Sequence, residues 1–119
     1  MIIEKTKRVD TYSIQFSIKE DGCIVGWAFL VVIQNNRHAE PYGLLENVYV
    51  EKVHRGKGFG TVLVNTVIEH AREIGCYKII AQSRYGKEGV HKMYKSFNFT
   101  DHGKNFRIDL LNSTIQQED

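Results

Sequence analysis

Between Val50 and Thr61 the hydrophobic period changes across a turn that no regular element accommodates, and this limits what the chain can fold into. Before the turn, Leu44-Leu45-Glu46-Asn47-Val48-Tyr49-Val50 reads as a strand. The turn is His54-Arg55-Gly56-Lys57-Gly58-Phe59-Gly60. After it, Leu63, Val67, Ala71 and Ile74 lie on one helical stripe, with Val64 and Ile68 beside it. Gly75, free to adopt a left-handed conformation, is the C-cap candidate. A buried strand then spans Tyr77 to Gln82. Strand, helix and strand over 44–82 predict a right-handed parallel crossover.

The flanks extend this unit. Tyr12, Ile14, Phe16 and Ile18 alternate with polar residues, as in a half-buried strand. Asp21-Gly22 predicts a tight hairpin, because both positions tolerate positive φ. The strand that follows, 23–34, is apolar almost throughout and is predicted to be central and covered on both faces. Gly26 inside it marks a candidate bulge. Downstream, Val90, Met93, Tyr94 and Phe97 predict a helix over 88–96. Phe106, Ile108 and Leu110 alternate and predict a final strand. The class is mixed α/β, with antiparallel N-terminal strands followed by a β-α-β-α-β unit.

With 119 residues the chain makes a single domain, 1–119, with a leader over 1–10 and a polar, frayed tail over 112–119. A net charge of +2 is too balanced for a protein that coats nucleic acid. The longest apolar run, Trp27 to Ile33, falls well short of the roughly 20 residues of a membrane span. The charged start, with Glu4, Lys5, Lys7 and Arg8, is not that of a secretory signal. Cys23 and Cys76 form no motif and read as reduced core thiols of a cytoplasmic protein, a disulfide being the alternative. His38, His54, His70, His91 and His102 show no metal spacing and read as surface residues, so no metal is expected.

Alternating glycines between a strand and a helix suit several phosphate-binding turns. A Walker loop needs Gly, four residues, then Gly-Lys-Ser/Thr, which is absent. A dinucleotide fingerprint starting at Gly56 puts Thr61 where its last glycine belongs, and no acidic residue stands near 80–82. A kinase loop lies between two strands, whereas a helix follows here. What remains is Arg-x-x-Gly-x-Gly at Arg55, Gly58 and Gly60 before a helix. Backbone N–H groups converge at such a terminus, where the helix dipole favours anions. Glycines remove the Cβ atoms that would hold a pyrophosphate away. Lys52, His54, Arg55 and Lys57 add positive charge. The alternative is a glycine-rich turn with no ligand.

Taken together, the strand 44–50, the basic glycine turn, the amphipathic helix, the next strand and the helix carrying Tyr94 resemble the GNAT superfamily of acetyl-CoA-dependent N-acetyltransferases. Arg55-Gly56-Lys57-Gly58-Phe59-Gly60 is similar to that family's acetyl-CoA loop. Met93-Tyr94-Lys95-Ser96-Phe97-Asn98-Phe99 resembles its second signature, with Asn98 where a glycine is usual. Asparagine is the best non-glycine substitute at positive φ, so that turn can survive. Gly75-Cys76-Tyr77-Lys78-Ile79-Ile80 and Glu46-Asn47-Val48 are locally similar to glucosamine-6-phosphate N-acetyltransferases. The family usually has a strand and two helices before its first hairpin, and those helices build one wall of the acceptor site. Only about ten residues precede Tyr12, so the chain is expected to lack them.

The resemblance implies roles. The backbone of Val48, Tyr49 and Val50 would pair with the pantetheine arm in a cleft where the flanking strands splay. The segment Arg55, Gly56, Lys57, Gly58, Phe59, Gly60 and Thr61 would hold the pyrophosphate. Tyr94 occupies the position of the general acid that protonates the departing sulfur; the alternative is a tyrosine on an apolar helix stripe. Amine attack on a thioester also needs a neutral amine. Glu46, a carboxylate inside an apolar strand, is the candidate base if burial raises its pKa. It reads equally as an anchor for the substrate ammonium or as a structural carboxylate. Arg84, Lys87 and Arg107 are candidate partners for an acidic group on the acceptor, solvated surface charge being the commoner explanation.

The implied function is direct transfer of the acetyl group of acetyl-CoA to a primary amine. A small-molecule acceptor is favoured over a protein, with an amino-sugar phosphate foremost. The rival is a non-catalytic acyl-CoA-binding module or subunit with an incomplete acceptor site. The short N-terminus raises the expectation of a homodimer, in which a partner subunit would supply the missing wall. Neither nucleic acid nor a membrane is an expected partner.

Overall fold

In the computed structural model, which describes residues 1–111, β1 (Tyr12–Glu20), β2 (Cys23–Ile33) and β3 (Tyr42–Val50) form an antiparallel meander. Then come a single 3-10 turn, Lys52–His54, and helix α1 (Phe59–Ile74). They are followed by β4 (Ile79–Ala81) and helix α2 (Glu88–Ser96). The sheet order is β1-β2-β3-β4, and β4 lies parallel to β3. The structure divides into two units, Met1–Ala81 and the residues from Gln82 onward.

Turn chemistry sets the register of the first unit. Asp21 and Gly22 take φ of 51° and 81°, and the two-residue turn places Glu20 opposite Cys23. The β1–β2 register shifts where Ile18 faces Gly26 and Lys19 faces Ile24, so β2 bulges at the predicted glycine. Gly75 ends α1 with φ 96°, its N–H donating to the carbonyls of Ala71 and Arg72. The Cys76 N–H donates back to Ala71 as well.

Leu63, Val64, Val67 and Ala71 of α1 pack on Val25, Ala28, Leu30 and Val32 of β2 and Leu45 of β3 to make the core. Gly43 permits the closest approach of strand to core: a Cβ there would stand 2.9 Å from the Leu30 Cδ1. Only this face of β2 is buried within the unit; Trp27, Phe29, Val31 and Ile33 on the other face are half-buried. The prediction of burial on both faces is therefore corrected, since the unit has a single helix to cover its sheet.

Three further differences are local. β4 is shorter than 77–82, because Tyr77 and Lys78 are exposed and only 79–81 pair with β3. Cys23 is exposed at the hairpin rather than in the core, while Cys76 is partly buried and burial pushes its thiol pKa up. Both cysteines are free. The predicted strand at 106–110 does not form. Phe106, Ile108 and Leu110 are 91%, 80% and 83% exposed, and among the described residues no strand pairs with them. Alternation is a local property of a sequence, whereas a strand also needs an edge to pair with. The predicted tail 112–119 lies outside the described residues.

In the second unit α2 spans the predicted residues, and Asn98 ends it at φ 73°. There the N–H groups of Asn98 and Phe99 donate to the carbonyls of Lys95 and Tyr94, so asparagine fills the glycine position as expected.

Candidate functional site

Where β3 leaves β4, the sequence places its chemistry. The strands pair across Gly43–Ile79, Leu44–Ile80 and Leu45–Ala81. Beyond these, β3 continues to Val50 while β4 has ended. The β4-side edge of β3 is therefore open over Glu46–Val50 among the described residues. Within this stretch β3 bulges. Phe29 faces Glu46 and Trp27 faces Tyr49, so three steps on β3 match two on β2. Asn47 absorbs the extra residue with φ 50°. Sequence reasoning missed this bulge; the signal was an asparagine interrupting a strand. Past it, the Glu51 N–H donates to Val25 of β2, so alternation turns the peptide groups of Val50 toward the open edge.

The chain then enters the glycine turn. Gly56 and Gly58 need glycine for conformation, with φ 80° and 86°. Gly58 is the N-cap of α1, and neither it nor any other side chain caps the helix. The first turn also holds no acidic residue. A helix of 16 residues thus presents the N–H groups of its first turn uncapped. Lys52, Arg55 and Lys57 around it are exposed.

Gly60 tests whether a phosphate-bearing ligand fits. Its φ is not positive, and a Cβ built on it would meet nothing within 4 Å. Neither strain nor crowding asks for glycine there, and glycine inside a helix costs about 0.5–1 kcal/mol relative to alanine. A helical Cβ tilts toward the helix N-terminus. Glycine at this position therefore leaves open the space before the uncapped N–H groups, which fits a pyrophosphate such as that of acetyl-CoA.

Arg55 is held rather than loose. Its Nε–H donates to the Val50 carbonyl at 2.8 Å, and its guanidinium lies 5.3 Å from the centroid of the Tyr49 ring. Tyr49 in turn stacks on Trp27 at 4.8 Å. His54, expected at the surface, stacks on Phe59 at 6.3 Å, and its Nδ1 is buried without a hydrogen-bond partner.

Glu46 faces Phe29 across the sheet and is exposed, so the burial expected of it is absent. Glu46, Val48, Tyr49 and Val50, with Arg55 through Thr61, are brought together in the first unit. Tyr94, Arg84, Lys87 and Arg107 belong to the second. Tyr94 is half-buried on α2, with its ring 5.3 Å from that of Phe99. Arg84 accepts at its carbonyl from the His91 ring at 2.9 Å, and Arg107 pairs with Asp109 at 2.7 Å.

Comparison with known proteins agrees with this fold. Residues 3–99 match the acetyltransferase (GNAT) family. The chain is 31% identical over 110 residues to glucosamine 6-phosphate N-acetyltransferase of Trypanosoma brucei brucei, covering 92% of this chain and 73% of that protein. It is 42% identical over 53 residues to glucosamine 6-phosphate N-acetyltransferase 1 of Oryza sativa subsp. japonica, of whose length it spans 32%. The crystal structure of a Trypanosoma brucei acetyltransferase superimposes with a TM-score of 0.73 at 31% identity, over 82% of this chain and 69% of that one.

Proposed function

The chain belongs to the acetyltransferase (GNAT) family, and from that premise we propose that it acetylates the primary amine of an amino-sugar phosphate by direct attack. It is an N-acetyltransferase by family, and the acceptor is what the proposal adds. The observation that carries it is the uncapped N-terminus of α1 beside the open edge of β3. The 31% identity to a relative named for glucosamine 6-phosphate, over 92% of this chain, supports the acceptor. That the family match, residues 3–99, includes residues of both units supports a single catalytic domain.

Acetyl-CoA, when bound, supplies a thioester whose acyl carbon is open to an amine. The chain's part is to hold it and to move protons. The Arg55 to Thr61 turn and the first N–H groups of α1 take the pyrophosphate. The open edge of β3 at Val48–Val50 takes the amide-bearing arm as an added strand. Glu46, exposed beside it, attracts the acceptor's ammonium and passes one proton to water, which frees the nitrogen lone pair. The carbon–nitrogen bond forms as the carbon–sulfur bond breaks; the phenol of Tyr94 gives its proton to the leaving sulfur, and the proton shed by the acylated nitrogen passes through water to restore the phenol. Arg84 and Lys87 supply charge for the acceptor's phosphate, whereas the charge of Arg107 is met by Asp109 at 2.7 Å. The exposed apolar row Phe106, Ile108 and Leu110 supports a homodimer.

The test is release of coenzyme A thiol from acetyl-CoA with glucosamine 6-phosphate, glucosamine, a polyamine and a lysine peptide. We expect kcat/KM for the sugar phosphate to exceed that for glucosamine at least tenfold, the value of about one charge-assisted contact. Saturable coenzyme A binding with no turnover on any amine would overturn the reading.

A further inference from the structure

We propose that Trp27, which lies outside every motif of the sequence, is a positioning residue that sets Arg55 for the diphosphate of acetyl-CoA. The inference rests on the acetyl-CoA reading above and names a part of that site on β2, a strand the reading leaves unused.

The register of the sheet creates the arrangement. Without the extra residue at Asn47, Trp27 would face Val48. With it, Trp27 faces Tyr49, and the two rings stack with centroids 4.8 Å apart at 29°. Tyr49 carries the Arg55 guanidinium 5.3 Å from its centroid. The bulge thus converts an aromatic–valine pair into a stacked aromatic pair, one ring of which, Tyr49, carries the cation.

Arg55 is exposed, and an exposed arginine samples many rotamers whose loss weakens binding. Here it is anchored before any ligand arrives. Its backbone N–H donates to Lys52, its Nε–H donates to Val50, and its face rests on Tyr49. A guanidinium has five N–H donors. Among the described residues no protein acceptor takes those on the two Nη atoms. They form the planar fork that matches two oxygens of a phosphate. Trp27 holds the ring that holds this fork, and a leucine would fill some of the space without presenting a flat face.

Trp27 is the only tryptophan, so its emission reports directly on the stack. Titrated with coenzyme A, the wild-type protein should show a change in emission that S-acetylpantetheine, which lacks the diphosphate, does not produce. By calorimetry Trp27→Leu should weaken coenzyme A about three- to tenfold, and Trp27→Phe should restore most of the loss. In turnover, Trp27→Leu should raise KM for acetyl-CoA by the same factor at unchanged kcat, and leave KM for S-acetylpantetheine alone. Arg55→Ala should abolish the effect: in that background Trp27→Leu should cost nothing further.

Equal weakening toward both thioesters, or an undiminished loss in the Arg55→Ala background, would make Trp27 merely structural and overturn the proposal. If Trp27→Leu fails to fold, Tyr49→Leu is read against the same probes with the same expectations. A wild-type protein that binds no coenzyme A overturns the acetyl-CoA reading itself. Binding that is normal in wild type and indifferent to Trp27 removes only the positioning role.

Discussion

Leu45 and Ala81 are the last residues across which β3 and β4 pair, and beyond them β3 runs on to Val50 alone on that side. Two neighbouring features follow from the local chain. β4 ends at Ala81, and β3 acquires a bulge at Asn47 that increases its twist. An open strand edge carries unpaired N–H and C=O groups, a liability unless something extended lies along it. Next to that edge, α1 starts without a cap. One end of the proposed site thus has an open strand edge and the other an uncapped helix N-terminus, the two features the proposed acetyl-CoA binding calls on.

Gly60→Ala separates stability from binding. The position has no conformational or steric demand for glycine, so alanine should stabilise the helix by about 0.5–1 kcal/mol. The new methyl should also stand where the diphosphate approaches. Coenzyme A affinity should fall about tenfold, the equivalent of one charge-assisted hydrogen bond of about 1.5 kcal/mol. Thermal melts and calorimetry on the same preparation check both arms. A stabilised variant that binds as wild type would move the ligand elsewhere.

Tyr94→Phe and Glu46→Gln should differ in the parameter they change. Loss of the phenolic proton should lower kcat about a hundredfold while coenzyme A affinity stays within twofold, the range for a general acid. Glu46 is exposed, and an exposed carboxylate serves the acceptor mainly by attraction. Its amide should raise KM for the amine more than it lowers kcat. Steady-state kinetics across pH 6 to 9 are the measurement. A Tyr94→Phe enzyme with full kcat would return that tyrosine to the helix stripe.

What the sequence disclosed depended on how local the cause was. The Asp21-Gly22 turn, the Gly75 and Asn98 caps and the whole of α2 were legible because each follows from the φ range or spacing of a few neighbouring residues. The glycine turn was legible as a break between strand and helix, although which of its glycines is needed for conformation was not. Gly56 and Gly58 are, at positive φ, and Gly60 is not. Pairing is not local, and there the reading failed. The strand expected at Phe106–Leu110 had the right alternation but pairs with no strand among the described residues, and the second face of β2 had apolar residues and no cover within its unit. The Trp27–Tyr49 stack was invisible because it depends on a one-residue slip between strands.

The two cysteines should react in two phases with a disulfide reagent. Cys23 is exposed at the first hairpin, whereas burial raises the Cys76 pKa above its ordinary 9.0. A raised thiol pKa leaves less thiolate at a given pH, so at pH 8 Cys76 should label at least tenfold more slowly. Its rate should keep rising above pH 9. The unfolded chain ionises this thiol first, so its contribution to stability is present below about pH 9 and declines as pH climbs through the folded value. Cys23→Ser should remove the fast phase alone. A single phase in the wild-type protein would contradict the burial of Cys76.

The segment carrying Phe106, Ile108 and Leu110 should be read out by the oligomeric state. Arg107 and Asp109 pair at 2.7 Å two residues apart, as neighbours on one side of an extended chain do. Their ion pair neutralises that side, and the three apolar residues alternate with it at 80% exposure or more. Such a row in water is unstable to association, and an extended segment associates most readily with a strand edge. The 119-residue chain should sediment as a dimer at micromolar concentration. Ile108→Lys should shift it to monomer with the melt of the main transition changed by less than about 2 °C, because an 80% exposed side chain contributes little to its own unit. A wild-type chain that stays monomeric to about 100 µM, or an Ile108→Lys variant that remains dimeric, would show that this row is not the contact between copies.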